Sequence, residues 1–208
     1  MIYTFIALLT AYLIGSIPTG YIFGKVLKGI DVRKHGSGNV GATNVFRSVG
    51  KTAGIVVLVL DFLKGFVAVV FLPRVLFRVF PGMTEGDVSL YIIMGAAAIA
   101  GHIWTCFLRF KGGKGVATTF GVMAGLFPII FVGCLAVWVI FFSIWKYVSL
   151  ASIAACISLP LLALATGEDI RIVLFTAVLC MVGVYVHRSN IKRLIQGTES
   201  KIVKVKKS

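Results

Sequence analysis

Apolar runs close to twenty residues long, separated by short polar stretches, fill almost the whole chain, and this pattern restricts the fold more than any other feature. A run of that length wound as a helix spans the ~30 Å hydrocarbon core of a bilayer. Lipid offers no hydrogen bonds to a backbone, so such runs must satisfy their own N–H and C=O groups as helices. Seven segments can be read, at roughly 2–24, 53–77, 88–108, 115–127, 128–146, 148–167 and 169–187. The fourth is short, and the run 115–145 reads either as one long tilted helix or as two helices joined at Pro128.

Charge decides between these. With seven spans and the N-terminus outside, the 21 Lys and Arg residues separate sharply. All except Lys64, Arg74, Arg78 and Arg171 fall in cytoplasmic loops or the C-terminal tail. The outer loops carry Arg74, Arg78 and Arg171 together with Glu85, Asp87, Glu168 and Asp169. This is the asymmetry of the positive-inside rule. Merging the fourth and fifth segments would place Lys146 and the C-terminal cluster outside. The expectation is therefore an all-α integral membrane protein, a seven-transmembrane-helix bundle with its N-terminus outside and its C-terminus cytoplasmic. It forms a single membrane domain over 1–208.

Composition agrees, with 59% hydrophobic and 13% charged residues, against about 25% charged in soluble domains. A net charge of +14 would point to nucleic acid in a soluble protein. Here topology accounts for it, and no nucleic-acid partner is expected; the basic tail from Lys201 suits anionic lipid headgroups. The first apolar run lacks a basic leader and a cleavage site, so it reads as a retained helix. Cys106, Cys134, Cys156 and Cys180 are dispersed singly, so neither metal nor redox cofactor is expected.

Three polar constellations interrupt the apolar pattern. The first is Gly36-Ser37-Gly38-Asn39-Val40-Gly41-Ala42-Thr43-Asn44-Val45-Phe46-Arg47. Glycines permit positive φ and close approach, and successive N–H groups can cradle an anion. Ser37, Asn39, Thr43 and Asn44 add neutral hydrogen bonds, and the Arg47 fork suits phosphate. Its Gly36-x-Gly38-x-x-Gly41 spacing mimics a dinucleotide fingerprint, but no strand precedes it and Asp61 lies inside an apolar span. The second is Phe110-Lys111-Gly112-Gly113-Lys114-Gly115-Val116-Ala117-Thr118-Thr119. Helix starts favour acids, so two lysines there imply an external anion. The third is His187-Arg188-Ser189-Asn190-Ile191-Lys192-Arg193-Leu194. Its His187 and Asn190 are three apart and are expected on one helix face.

Other polar residues stand alone. Asp61 and Lys64, three apart within an apolar run, read as a mutual ion pair, with an ion or proton relay as the sharper alternative. Ser149 and Ser152 open the sixth segment, where one of them is expected to cap the helix and either could reach the polar site. His102 shows no partner in the sequence.

The shared chemistry of the three constellations is phosphate recognition, and short-looped helices could gather them on one face. Residues 36–47, 111–121 and 187–197 resemble the three signature motifs of the acylphosphate:glycerol-3-phosphate acyltransferases, the PlsY type of bacterial membrane enzyme. The likeness extends through Gly15-Ser16-Ile17, Asp61-Phe62-Leu63-Lys64-Gly65 and Tyr147-Val148-Ser149-Leu150-Ala151-Ser152, and so covers nearly the whole chain. The resemblance implies a seven-helix enzyme of the bacterial inner membrane with its site facing the cytoplasm. It implies transfer of an acyl group from acyl phosphate to the 1-hydroxyl of glycerol 3-phosphate, giving lysophosphatidic acid, without a cofactor. It also implies a transient soluble partner that makes the acyl phosphate.

The residues themselves fit that chemistry. The His-x-x-x-x-Asp dyad of soluble-type glycerolipid acyltransferases is absent, because Val40, Phe107 and Lys192 stand at the fifth position after the three histidines. An acyl phosphate carries its own leaving group, so holding two substrates and stabilising charge can suffice. Ser37, Gly38, Asn39, Thr43, Asn44, Arg47, Lys111, Gly112, Gly113, Lys114 and Ser149 are the candidate substrate and phosphate ligands. His187 and Asn190 are the candidate catalytic pair, and either His187 or a donor phosphate oxygen serves as the base. A transporter for a phosphorylated solute is the rival reading; against it, the polar loops sit at one face, and no inverted repeat is visible.

Overall fold

The computed structural model describes residues 2–80 and 88–202. Glu85 and Asp87 of the expected outer loop, and Lys204, Lys206 and Lys207 of the basic tail, lie outside them. The chain, expected as one membrane domain, divides into two compact units, Met1–Pro128 and Ile129–Ser208.

In the first unit the opening apolar run is not one helix. It forms α1 (Ile2–Ser16) and α2 (Thr19–Lys28). Pro18 separates them because it lacks the N–H that would continue the α1 ladder. The α2 helix ends at Gly29, whose φ of +66 returns N–H groups to the last carbonyls. After a short 3-10 turn at Val32–Lys34 come α3 (Ala42–Ser48), α4 (Lys51–Val79), α5 (Val88–Ile103), a second 3-10 turn at Cys106–Leu108, and α6 (Val116–Leu126).

Helices in lipid gain little from burying apolar surface against one another, so close backbone approach at small residues must hold them together. Two such contacts are reciprocal. A Cβ on Gly15 would lie 2.0 Å from the Ala98 carbonyl oxygen, and one on Gly101 would lie 2.2 Å from that of Tyr12, which seats α1 on α5. Gly65 and Gly121 do the same for α4 and α6, against the carbonyl oxygens of Thr118 and Phe62. Ala7, Ala11, Ala68, Met94 and Ala98 fill the space between α1, α4 and α5. A second core, including Val32, Val40, Val45, Val57 and Leu108, lies under the glycine-rich connection between α2 and α4.

Inside α4, Lys64 Nζ lies 2.8 Å from Asp61 Oδ1, the mutual pair the spacing predicts. His102 is not solitary: its Nδ1 stands 3.5 Å from the same carboxylate oxygen. That neighbour is distant in sequence, which is why spacing does not reveal it.

The second unit comprises α7 (Pro128–Trp145), α8 (Val148–Ala165), α9 (Ile170–Val186) and α10 (Arg188–Ile195). The run 115–145 is thus two helices, parted at Phe127. Gly133 faces Leu162 across α7 and α8, and Gly183 faces Cys156 across α8 and α9. Asp169 caps α9 by accepting the Arg171 N–H at 2.8 Å.

The expected serine cap of α8 is not formed. Its N-terminal residue is Tyr147, with no side-chain cap. The Ser149 hydroxyl donates to Glu199 at 2.8 Å, and Ser152 Oγ accepts from Trp138 Nε1 at 3.2 Å. Tertiary partners have taken both hydroxyls from the helix end.

Among the described residues, five helical stretches are long and apolar enough to cross a membrane: Ile2–Lys28, Lys51–Val79, Val88–Leu108, Pro128–Trp145 and Val148–Ala165. A sixth is added if α9 and α10, bent by 58°, count together. With 11 residues, α6 reaches only ~16 Å at the α-helical rise, about half a hydrocarbon core. Large apolar side chains such as Ile129, Val132, Leu161 and Leu164 are exposed on these helices, as a lipid-facing surface requires.

Candidate active site

The first loop is built around Asn44. This residue is 2% exposed, and the two N–H groups of its carboxamide are shared among the carbonyls of Val32, His35 and Asn39 at 2.8 to 3.0 Å. Its side-chain oxygen accepts the Ser37 N–H at 2.9 Å. Asn39 Oδ1 accepts the Gly41 N–H at 2.8 Å, and the Gly38 N–H reaches His35 O at 3.0 Å. Gly36 and Gly38 have φ of +59 and +71, a backbone that L side chains rarely adopt. Asp31 accepts from the backbone and side chain of Arg33, whose guanidinium lies over the Tyr21 ring. The Arg33 hydrogen bond brings the Asp31 carboxyl down to about 2. The loop therefore presents exposed Ser37 and Arg47 and half-buried Thr43 on a frame tied together through Asn44.

The second loop lies against the end of α5. Gly112 N–H donates to Ile103 O, and Gly113 N–H donates to His102 O, both at 3.0 Å. A Cβ at either glycine would come 2.1 Å from an atom of His102. Arg109 and Phe110 turn the chain with positive φ, and Gly115, at φ +79, opens α6. Lys111 is exposed and Lys114 half-buried, just ahead of the α6 N-terminus. Both loops were expected to offer a row of backbone N–H donors. The N–H groups of Ser37, Gly38, Gly41, Gly112 and Gly113 instead hold the loops together.

In the second unit His187 sits at the bend between α9 and α10 and is 2% exposed. Its Nδ1 lies 2.7 Å from Gly183 O. A carbonyl there assigns the proton to Nδ1 and leaves Nε2 as the acceptor in the neutral ring. Asn190 is 4% exposed and its N–H donates to His187 O at 2.8 Å. The two residues three apart thus share the first turn of α10, with His187 as its N-cap and Asn190 within it. Arg188 turns away and packs over the Tyr185 ring.

The residue that sequence reading missed is Glu199. It accepts hydrogen bonds from Ser149 Oγ at 2.8 Å, Asn190 Nδ2 at 2.7 Å and Arg193 Nε at 2.6 Å. Burial pushes its carboxyl up, but the bonds from Arg193, Asn190 and Ser149 outweigh burial and hold it below the usual carboxylate range. A hydrogen bond from Ile202 N–H to Lys146 O fastens the segment beyond α10 onto the connection between α7 and α8. The available signal was a lone acid within a basic C-terminal stretch.

Apolar helices of membrane-crossing length, with polar side chains held on internally bonded loops at their ends, define an integral membrane protein. The glycerol-3-phosphate acyltransferase family model matches residues 5–197. The chain is 47% identical over 191 residues to the glycerol-3-phosphate acyltransferase of Desulforudis audaxviator, covering 92% of this chain and 91% of that one. It is 43% identical to that of Endomicrobium trichonymphae, over 97% of both chains. The crystal structure of PlsY, an integral membrane glycerol 3-phosphate acyltransferase, in its glycerol 3-phosphate form superposes with a TM-score of 0.86 at 39% identity, over 97% of this chain and 96% of that one. Its lysophosphatidic acid form gives 0.82. The chain belongs to the glycerol-3-phosphate acyltransferase family of PlsY type and is an integral membrane acyltransferase.

Proposed function

We propose that the enzyme moves a fatty acyl group from acyl phosphate to the 1-hydroxyl of glycerol 3-phosphate. The products are lysophosphatidic acid and inorganic phosphate, in the first acylation of bacterial phospholipid synthesis. The observation that carries this reading is the pair of solved relatives, one in a glycerol 3-phosphate form and one in a lysophosphatidic acid form. These two molecules differ by one acyl chain, so they stand as substrate and product of a single transfer.

In this reading the hydroxyl oxygen bonds to the acyl carbonyl carbon, the carbon–oxygen bond to phosphate breaks, and phosphate leaves with the electron pair. Ser37, Thr43, Arg47, Lys111 and Lys114 hold phosphate oxygens through their side chains. Asn39, Asn44, Gly38, Gly112 and Gly113 shape the loops that carry them. His187 and Asn190 orient glycerol 3-phosphate, and Ser149 supports Asn190 through Glu199. The hydroxyl proton passes to His187 Nε2 or to a phosphate oxygen of the donor. The site faces the cytoplasm of a seven-span protein in the cell inner membrane, where positive-inside charge places these loops. A soluble enzyme that supplies acyl phosphate is the transient partner.

The test is purified protein in detergent with acyl phosphate and glycerol 3-phosphate. Stoichiometric lysophosphatidic acid and phosphate are expected, and no product overturns the reading. His187→Gln decides the proton's destination: a loss of kcat assigns it to His187, and weakened substrate binding with kcat retained assigns it to the donor phosphate.

A further inference from the structure

In the first unit a set of buried polar groups lies beneath both glycine loops, and the acyl transfer as described leaves it unused. Ser16, Thr19, Asp61, Lys64 and His102 line one small cavity, together with Val40 of the first loop. Each of these five polar residues is at most 9% exposed. Asp61 Oδ1 accepts from Thr19 Oγ1 at 2.7 Å and pairs with Lys64 Nζ at 2.8 Å. Lys64 also donates to Ile17 O at 3.1 Å, and Thr118 at the start of α6 donates to Asp61 O at 3.0 Å. Burying such groups among apolar helices is costly. A plain packing role would be met more cheaply by apolar side chains of the same volume.

The cluster reaches the second loop through one residue. The His102 imidazole has Nδ1 at 3.5 Å from Asp61 Oδ1 on one side. On the other side a Cβ on Gly113 would lie 2.1 Å from its Nε2, so the ring and the glycine are in direct contact. The His102 carbonyl receives the Gly113 N–H at 3.0 Å. Lys114 is the next residue. The ring therefore bounds the space open to the backbone that carries Lys114; its Nδ1 faces the Asp61 carboxylate at 3.5 Å without closing a hydrogen bond.

We propose that His102 is a positioning residue: its ring, packed between the Asp61 carboxylate and Gly113, sets the seat of Gly113 and so aims Lys114 at a substrate phosphate. This rests on the reading that Lys114 binds phosphate. His102 touches neither substrate and acts only through the loop.

The experiment measures binding of glycerol 3-phosphate and of a non-reactive acyl phosphonate by calorimetry, so that inactive variants still report. His102→Phe keeps a ring against Gly113 but loses the contact with Asp61. His102→Asn keeps a polar group toward Asp61 but loses the ring. Each is expected to weaken binding of one ligand about tenfold, the scale of a slightly misplaced binding group, with the other ligand unaffected. Combined with Lys114→Ala, neither is expected to weaken binding further, because a residue acting through Lys114 has nothing left to act on. Unchanged affinity in a folded His102 variant overturns the proposal, as does an effect that adds fully to that of Lys114→Ala. If Lys114→Ala alone leaves both affinities unchanged, the phosphate reading of Lys114 fails instead. Should His102→Phe not fold, as read by its unfolding midpoint, His102→Asn and Asp61→Asn give the same comparison.

Discussion

The side-chain oxygen of Asn44 accepts the Ser37 N–H at 2.9 Å, so a buried residue of α3 sets the backbone under an exposed hydroxyl of the candidate site. The same carboxamide donates to three carbonyls.

Asn44→Asp is expected to be as damaging as Asn44→Ala. The carboxylate keeps the acceptor for Ser37 but turns an oxygen toward three carbonyl oxygens. Each change should cost about 2 to 4 kcal/mol, from several buried groups left unsatisfied. Unfolding midpoints in detergent check this, and a mild Asn44→Asp would show that the donated bonds carry little.

Arg47→Lys tests the guanidinium fork. A bidentate hold on phosphate cannot be reproduced by an ammonium. The KM of one phosphate substrate should rise about tenfold or more, on the scale of 1.4 kcal/mol per decade. Unchanged kinetics for both substrates would remove Arg47 from the site.

Glu199→Gln should lower the unfolding midpoint at neutral pH, at a cost of about 1 to 2 kcal/mol for weakened charge-assisted bonds that are partly exposed to solvent. The sign with pH follows from the depressed carboxyl. Its stabilisation is fully present above the ordinary value of 4.5 and is lost as pH falls through the lower folded value. The wild-type and Glu199→Gln curves should therefore converge in acid. Parallel curves below neutral pH would contradict the assignment.

Glycine substitutions should separate steric from conformational cost. At Gly65 a Cβ would meet the Thr118 carbonyl oxygen at 2.2 Å, so Gly65→Ala must push α4 from α6. A loss of about 1 to 3 kcal/mol is expected from overpacking. Gly29 has open space but a φ of +66, so Gly29→Ala should cost only about 1 kcal/mol, from backbone strain. A smaller loss at Gly65 than at Gly29 would refute the close-packing account of α4 and α6.

Much of the fold was legible because its causes are local. The length of an apolar run measures a bilayer, and Pro128 marks where the run 115–145 parts into two helices. The Asp61–Lys64 pair follows from a spacing of three on one helix. The loops around Ser37 and Lys114 were visible as glycines and cations set among apolar segments. The break at Pro18 was legible in principle, since proline ends a hydrogen-bond ladder, but membrane helices tolerate proline and the run read as continuous.

What the tertiary structure alone decided is which partner each polar group takes. Asn44 looks like a ligand in the sequence and proves to be the clasp of its loop. Ser149 and Ser152 look like helix caps, yet Glu199 and Trp138 engage them. His102 looks solitary, although Asp61, far along the chain, stands beside it. The N–H groups of Ser37, Gly38, Gly41, Gly112 and Gly113 look available and are spent within the loops and on the end of α5. Hydropathy and charge sum along the chain and can be read there, whereas a hydrogen bond depends on direction and distance between residues far apart in it.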